Sequence, residues 1–159
     1  MSNVRRHMVH VPLPATDDEL LQIVRFWLDV LAAEDYERVF TSLGYAMAWG
    51  GGAQAIRRDI EKYRSSAFYP GISAFRVSDW RNAAGGNPAP RTLIRRYKYM
   101  ERLPIVVTIE LDLPLNNRWS DLEADFVVTT LGPHAAEGIL CLEDICSPLA
   151  EGGDRKSVV

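Results

Sequence analysis

The sequence predicts an α+β fold in which helices come first and an antiparallel sheet follows. Apolar residues recur at helical spacing from Leu20 to Tyr63, and the period changes to two after the turn at Tyr69-Pro70-Gly71. The 159 residues, 47% hydrophobic and 25% charged, suffice for one domain with its own core. The predicted boundaries are an N-terminal arm over 1–15, a single domain over 16–150 and a flexible tail over 151–159.

Three helices are predicted from caps and periodicity. The run Thr16-Asp17-Asp18-Glu19 matches a capping box and starts a helix that continues to about Ala33. A short second helix spans 35–43 and stops at Gly44, where a left-handed cap costs little. The glycine run at 50–52 predicts a break, and a third helix follows over 53–64.

About five strands are predicted after the turn at residues 69–71. Alternation and β-branched residues place them at 72–80, 92–100, 103–113, 122–128 and 137–146. The segment 81–91 is rich in Gly, Pro and Asn and is predicted to be a loop. Since the helices precede the strands, they are expected to pack together on one side of the sheet.

The cellular location of the protein, the state of its cysteines and its cofactor content are predicted from sequence features that it lacks. No window approaches the ~20 consecutive apolar residues of a membrane span, and residues 1–14 hold no signal-peptide core, so a cytoplasmic protein without membrane contact is expected. Cys141 and Cys146 are an odd number of residues apart in one predicted strand and are expected on opposite faces as free, buried thiols. With three histidines, at positions 7, 10 and 134, and no close Cys-His spacing, neither a metal site nor another cofactor is expected.

The formal net charge of −3 hides a segregation along the chain. Residues 1–56 carry −3, residues 57–102 carry +7, and residues 103–159 carry −7. In the last three predicted strands, acidic residues occupy the phase opposite the apolar side, namely Glu110, Asp112, Glu123, Asp125 and Glu143. These residues are expected to form one exposed acidic face, which is either a plain solvated surface or the docking site of a basic protein, with Trp119 nearby as an anchor.

The basic middle segment has a nucleic-acid-like composition. Arg91, Arg95, Arg96, Lys98 and Arg102 are interleaved with Tyr97 and Tyr99. Alternation along a strand would nevertheless divide these groups between two faces, and the pI of about 5.6 argues against net attraction to phosphates. No nucleic-acid partner is expected, and these cations are expected to lie over carboxylates of a neighbouring strand.

No segment carries a specific catalytic signature, and no catalytic residue is assigned. The glycine run at 50–52 lacks the Lys-Ser/Thr of a phosphate loop, and Ser120 has neither a glycine elbow nor a nearby histidine in the pattern. Asp144 shares the phase of Leu140 and Leu142, so burial should raise its pKa. An interior pocket is therefore conceivable, unless the strand ends before Asp144, and its lining would be Trp27, Tyr97, Phe126 and Asp144.

The order of elements, with Leu31-Ala32-Ala33-Glu34-Asp35-Tyr36 joining the first two helices, resembles the nuclear-transport-factor-2-like cone fold. The late segments at 106–113, Trp119-Ser120-Asp121-Leu122 and Leu142-Glu143-Asp144-Ile145 are similar to a family of small uncharacterised bacterial proteins. The resemblance implies a strongly bent sheet. Cone-fold members include isomerases, dehydratases, transport adaptors and immunity proteins that neutralise bacterial toxins, so the resemblance assigns no activity.

These observations favour a non-catalytic binding protein. The leading expectation is an immunity-type protein whose acidic face docks a basic partner such as a toxin domain. The alternative is a small-ligand binder or an isomerase-type or dehydratase-type enzyme that uses the cone interior. A homodimer built through the sheet is a third arrangement that the sequence leaves open.

Overall fold

The computed structural model describes residues 9–43, 52–63 and 68–147. Three predicted features therefore lie outside the described residues: the stop at Gly44, the glycines at 50 and 51, and the tail at 151–159. The architecture confirms the predicted class, because three helices pack against a curled, five-stranded antiparallel half-barrel. This is the arrangement that a cone-like α+β fold requires.

The helices begin where the sequence predicts. They are α1 (Asp17–Ala32), α2 (Tyr36–Thr41) and α3 (Ala53–Glu61). The capping box is present, since the Glu19 amide donates to Thr16 Oγ1 at 3.1 Å and the Thr16 amide donates to Glu19 Oε1 at 2.8 Å. Asp35 caps α2 by accepting from the amide of Arg38. Side-chain caps at both helices therefore satisfy amides that the helices themselves cannot pair.

The sheet has the order β1-β5-β4-β3-β2, and all neighbouring strands are antiparallel. The strands are β1 (His10–Pro12), β2 (Thr92–Arg96), β3 (Ile105–Leu115), β4 (Arg118–Thr129) and β5 (Glu137–Cys146). The hairpin turn between β3 and β4 is Asn116-Asn117, with φ of 50° and 67°. Two positive φ angles are typical of the two-residue turn that matches strand twist, which is why β3 and β4 extend further than predicted.

One predicted strand is wrong, and an unpredicted one replaces it. Residues 72–80 contribute only an isolated bridge from Val77 to Leu115, followed by a 3₁₀ turn at Trp80–Asn82. The fifth strand is β1, which lies inside the predicted N-terminal arm and pairs with the start of β5. This three-residue strand ends in Pro12, two residues before Pro14, and shows no usable period, so only the long-range pairing with β5 identifies β1.

The segment 76–91 wraps around the end of the β3–β4 hairpin. Ser78 donates to Pro114 O on the β3 edge, and Asn87 then donates to Trp119 O on the β4 edge. Between these points Arg81 forms ion pairs with Asp29 of α1 and with Asp79. The chain then returns to the β3 edge, where it continues as β2. The predicted loop is thus tied to the sheet by backbone hydrogen bonds on both edges of the hairpin.

Large buried side chains pack inside the half-barrel. Trp27 of α1 and Phe126 of β4 meet edge to face with ring centroids 4.7 Å apart, and both are buried. Tyr63, Tyr69 and Phe75 form a second cluster of edge-to-face rings. Among the described residues, no helix is long and apolar enough to span a membrane.

Candidate functional site

The strand register gathers five acidic residues on the sheet face that points away from the Trp27–Phe126 core. Asp112 lies opposite Glu123, which lies opposite Cys146 on β5. In the next row Glu110 lies opposite Asp125, which lies opposite Asp144. Directly opposed residues of antiparallel strands share a face. We call this group the acidic face, and its members are Glu110, Asp112, Glu123, Asp125 and Asp144.

A β-bulge in β5 changes which of its side chains share a face, so the predicted alternation is wrong at the end of this strand. Asp125 pairs with Asp144 whereas Phe126 pairs with Leu142, so Glu143 is the extra residue of the bulge. Asp144 consequently leaves the phase of Leu140 and Leu142 and joins the acidic face in place of Glu143. The same shift places Cys141 and Cys146 on one face, opposite Val127 and Glu123, rather than on opposite faces. Both cysteines are buried, as predicted.

Two members of the face are buried, although the sequence predicts that they are exposed. Asp112 and Glu123 are each only 5% exposed. The reason is the returning loop: Asn87 Nδ2 and the Arg91 amide donate to Asp112 Oδ2 at 3.0 and 2.9 Å. Arg91 Nη2 donates to Glu123 Oε1 at 2.6 Å. These two carboxylates therefore hold the loop on the sheet.

The titration of Asp112 reflects this burial. Desolvation raises the pKa of Asp112 above its ordinary value, and the neighbouring charges of Glu123 and Asp121 raise it further. The hydrogen bond from the Arg91 amide and the positive charge of Arg91 lower the pKa of Asp112, but they do not reverse the shift. Ionised Asp112 is thus held in a place that disfavours its charge.

The second row, which contains Glu110, Asp125 and Asp144, is partly accessible to solvent. Glu110, Asp125 and Asp144 are all of intermediate exposure. Arg95 approaches Glu110 with an N–O distance of 3.9 Å, and 30% of the Glu110 side chain is exposed. The predicted pairing of basic residues with strand carboxylates is therefore present at Arg91 and Arg95.

Trp119 lies at the hairpin end of the sheet. It is half-buried and lies opposite Pro114. Its amide donates to Gly85 O at 3.1 Å, and its carbonyl lies so close to Gly86 that a Cβ at that position would sit 2.2 Å from the oxygen. The loop is thus fixed against the Trp119 backbone, and only part of its side chain remains available to a partner.

A mixed set of donor atoms lies between the two rows. One carboxylate oxygen of Glu123, one of Asp125 and the thiol of Cys146 lie within 4.8 Å of one another. These atom types suit a divalent cation. Glu123, one of these three residues, already forms an ion pair with the guanidinium of Arg91. The expectation that the chain holds no metal remains a prediction.

The four residues of the predicted interior pocket do not come together. Trp27 and Phe126 pack on each other inside the half-barrel. Tyr97 lies just beyond β2 and is 47% exposed. Asp144 belongs to the acidic face on the other side of the sheet. The bulge at Glu143 and the early end of β2 at Arg96 account for these two displacements.

A polar cleft of about 1010 Å³ lies where the α1–α2 junction, α3, the segment 73–78 and the hairpin turn meet. Arg57 pairs with Glu61 at 2.9 Å, and Arg76 pairs with Glu34 at 3.3 Å. Tyr36 also lines the cleft, and its burial raises the pKa of its phenol. Sequence reasoning missed this site because its residues come from four separate segments with no shared period. The structure marks the site at Glu34, a non-glycine residue with φ of 62° just after α1, which the sequence does not reveal.

No protein-family model, curated protein or solved structure matches the chain. The cone-like architecture is supported by the strand order and the helix packing alone. No relative indicates a toxin-immunity role for this chain, so its function is inferred from its own surfaces. Those surfaces offer a carboxylate row for cations and a cleft with groups of both charge signs.

Proposed function

We propose that this protein is a non-catalytic binding protein that docks a basic protein surface on its acidic face. The observation that carries the proposal is the row in which Glu110, Asp125 and Asp144 lie directly opposite one another while remaining partly exposed. Like charges directly opposed on neighbouring strands cost roughly 0.2–1 kcal/mol per pair. The row therefore does not serve the stability of the fold, and a cationic partner would relieve the repulsion.

The charge balance of the face supports a cationic partner. Five carboxylates lie on it, Arg91 pairs with Glu123, and Arg95 approaches Glu110 at 3.9 Å. Because Asp112 and Glu123 are buried and hold the loop, we assign docking to the partly exposed carboxylates Glu110, Asp125 and Asp144, with Glu143 beside them on the bulge. Complementary charge raises the association rate more than it tightens the complex, so Trp119 at the hairpin end is the candidate anchor.

Toxin neutralisation is the specific form of this proposal that the sequence resemblance favours. Many toxin domains that act on nucleic acids need a basic surface to reach phosphates. An acidic surface that covers such a patch would block the toxin without any chemistry of its own. The chain would then act by occlusion, and no residue of it would be consumed or modified.

Reversing two charges of the row is expected to weaken partner capture about tenfold or more, which corresponds to about 1.4 kcal/mol. The variant is Glu110→Lys with Asp144→Lys, since both side chains are partly exposed and neither holds the loop. Immobilised wild type and variant are challenged with a lysate of the organism that encodes the chain, at low and at high ionic strength. The partner is expected to be a basic protein that is lost from the variant and released from the wild type by salt.

The matched control is Asp18→Lys with Glu37→Lys, which makes the same change in net charge on the helices and should leave capture intact. A captured protein is then expressed alone and together with each variant. If it arrests growth alone, wild type and control should restore growth whereas the face variant should not. Capture that survives charge reversal of the row, or that is insensitive to salt, contradicts the proposal.

The polar cleft favours a second candidate function, small-ligand binding. Its two ion pairs place guanidinium and carboxylate groups on one concave surface, so a small zwitterion such as a free amino acid could exchange salt bridges with both. A ligand at about 100 times its Kd is expected to stabilise the fold by about 2.7 kcal/mol, a rise of several degrees in Tm. A thermal-shift series with individual amino acids measures this.

Arg76→Ala should abolish the shift, because Arg76 contributes one of the two cations of the cleft. Arg38→Ala removes an exposed arginine on α2 outside the cleft and should retain it. Absence of any shift across the amino-acid series, or a shift that survives Arg76→Ala, argues against this second function.

A further inference from the structure

The end of the sheet away from the Asn116-Asn117 turn carries exposed apolar side chains on two connections. The β2–β3 connection exposes Met100 and Leu103 by 55% and 52%, and Leu131 in the β4–β5 connection is 99% exposed. Tyr97 is also exposed at the start of the first connection. Isolated exposed apolar residues need no explanation, whereas a contiguous apolar patch marks an interaction surface.

Hydrogen bonds and register bring the two connections together. Ile105 lies opposite Thr129, and one step further out the Thr130 amide donates to Pro104 O at 3.0 Å. Leu103 and Leu131 are the next residues on the two chains. Met100 in turn pairs with Leu103 through an antiparallel bridge. The three aliphatic residues therefore lie on adjoining connections at one end of the sheet, and we call this group the aliphatic tip.

Cations flank the aliphatic tip. Lys98 and Arg102 are exposed, and neither forms an ion pair within the described part of the chain. Arg95 and Arg96 differ from them, because they pair with Glu110 and Asp17. The predicted cross-strand pairing therefore stops before the tip. The β2–β3 connection thus holds two such cations, Lys98 and Arg102, beside one exposed acid, Glu101.

We propose that the aliphatic tip docks on the surface of an anionic phospholipid membrane. A bilayer interface takes up apolar side chains at the boundary between headgroups and acyl chains, and its phosphates attract adjacent Lys and Arg. One partner thus accounts for both the exposed aliphatic residues and the cations beside them. The earlier expectation of no membrane contact rested on the lack of an apolar span, which does not address surface docking.

Two other macromolecules fit the tip less well. A single-stranded nucleic acid needs exposed aromatic platforms, but the most exposed side chains are aliphatic and Tyr99 is half-buried. An acidic protein would pair with the cations, yet the 99% exposure of Leu131 shows a protruding side chain rather than part of a concave anchor site. The proposal goes beyond the acidic-face function and uses none of its residues, so the two can fail separately.

Vesicle co-sedimentation of the full chain tests the proposal. Vesicles of phosphatidylcholine with phosphatidylglycerol are compared with vesicles of phosphatidylcholine alone, and binding is expected to the anionic vesicles only. Each juxtamembrane cation contributes a factor of about five, so Lys98→Gln with Arg102→Gln should lower the partition coefficient by about 25-fold. The matched control, Arg38→Gln with Arg58→Gln, removes two exposed charges from the helices and should leave binding unchanged.

Leu131→Ala separates lipid insertion from simple charge attraction. Because Leu131 is fully exposed, this variant should keep the wild-type Tm and still lose several-fold in binding. Equal binding of wild type and Leu131→Ala, or no binding to anionic vesicles by a folded wild type, overturns the proposal. Binding of a single-stranded oligonucleotide in place of vesicles, with the same loss on changing Lys98 and Arg102, also overturns it and identifies nucleic acid as the partner.

Discussion

Replacing Trp27 with alanine is expected to lower the free energy of unfolding by about 3–5 kcal/mol. Trp27 is fully buried and contacts Phe126 edge to face at 4.7 Å, so its removal leaves a large cavity at the centre of the half-barrel. Urea denaturation followed by far-UV circular dichroism measures the loss. Since a domain of this size has a total stability of roughly 5–15 kcal/mol, Trp27→Phe provides a milder variant that should remain folded.

Trp80→Ala is the matched control for Trp27→Ala. Trp80 is half-buried, and the guanidinium groups of Arg25 and Arg81 lie 4.4 and 4.5 Å from the centroid of its ring. Each such contact is worth about 0.5–1 kcal/mol near the surface, so a loss of about 1–2 kcal/mol is expected. Similar losses for the two variants would mean that the half-barrel interior is not tightly filled. The interior pocket of the sequence-based alternative would then regain support.

The class of fold was predictable because its signals are local. The capping box at Thr16 and Glu19, the apolar stripe of α1 and the alternation of β3 each appear within one element. Strand β5 was also placed correctly, at Glu137–Cys146. Strand β1 was not predictable, because His10–Pro12 has no period of its own and is defined by pairing with residues more than a hundred positions away.

The candidate site was only partly predictable, for two physical reasons. Alternation of side chains assigns the two faces of a strand correctly only where the strand is regular. Because β5 has a bulge at Glu143, Asp144 lies on the acidic face where alternation predicts Glu143. Alternation also says nothing about what covers a face. The predicted loop returns over the sheet and buries Asp112 and Glu123, so two expected docking groups are structural. Lys98 and Arg102, which form no ion pair with another described residue, likewise depend on where neighbouring strands end.

Loss of Arg91 is the second large effect to expect, at about 2–4 kcal/mol near neutral pH. Arg91 is more than half exposed, but its partner Glu123 is buried, so Arg91→Ala leaves a buried carboxylate beside Asp112 without its counter-ion. Arg95→Ala is the matched control. Its 3.9 Å contact with Glu110 is half exposed, and a loss of no more than about 1 kcal/mol is expected.

The loss on removing Arg91 should depend on pH in a defined direction. Burial raises the pKa of Asp112 in the folded state above its unfolded value of about 4. Between these two pKa values the folded state binds more protons than the unfolded state, so the free energy of unfolding falls as pH rises. Arg91→Ala removes a positive charge that lowers the pKa of Asp112 and therefore widens this window. Denaturation of Arg91→Ala should show a deficit that is small at acidic pH and largest at neutral pH. Adding Glu123→Gln to Arg91→Ala should restore most of the lost free energy of unfolding, because it removes the buried charge. If the loss is equal at all pH values and Glu123→Gln does not restore it, Arg91 stabilises the sheet by packing alone.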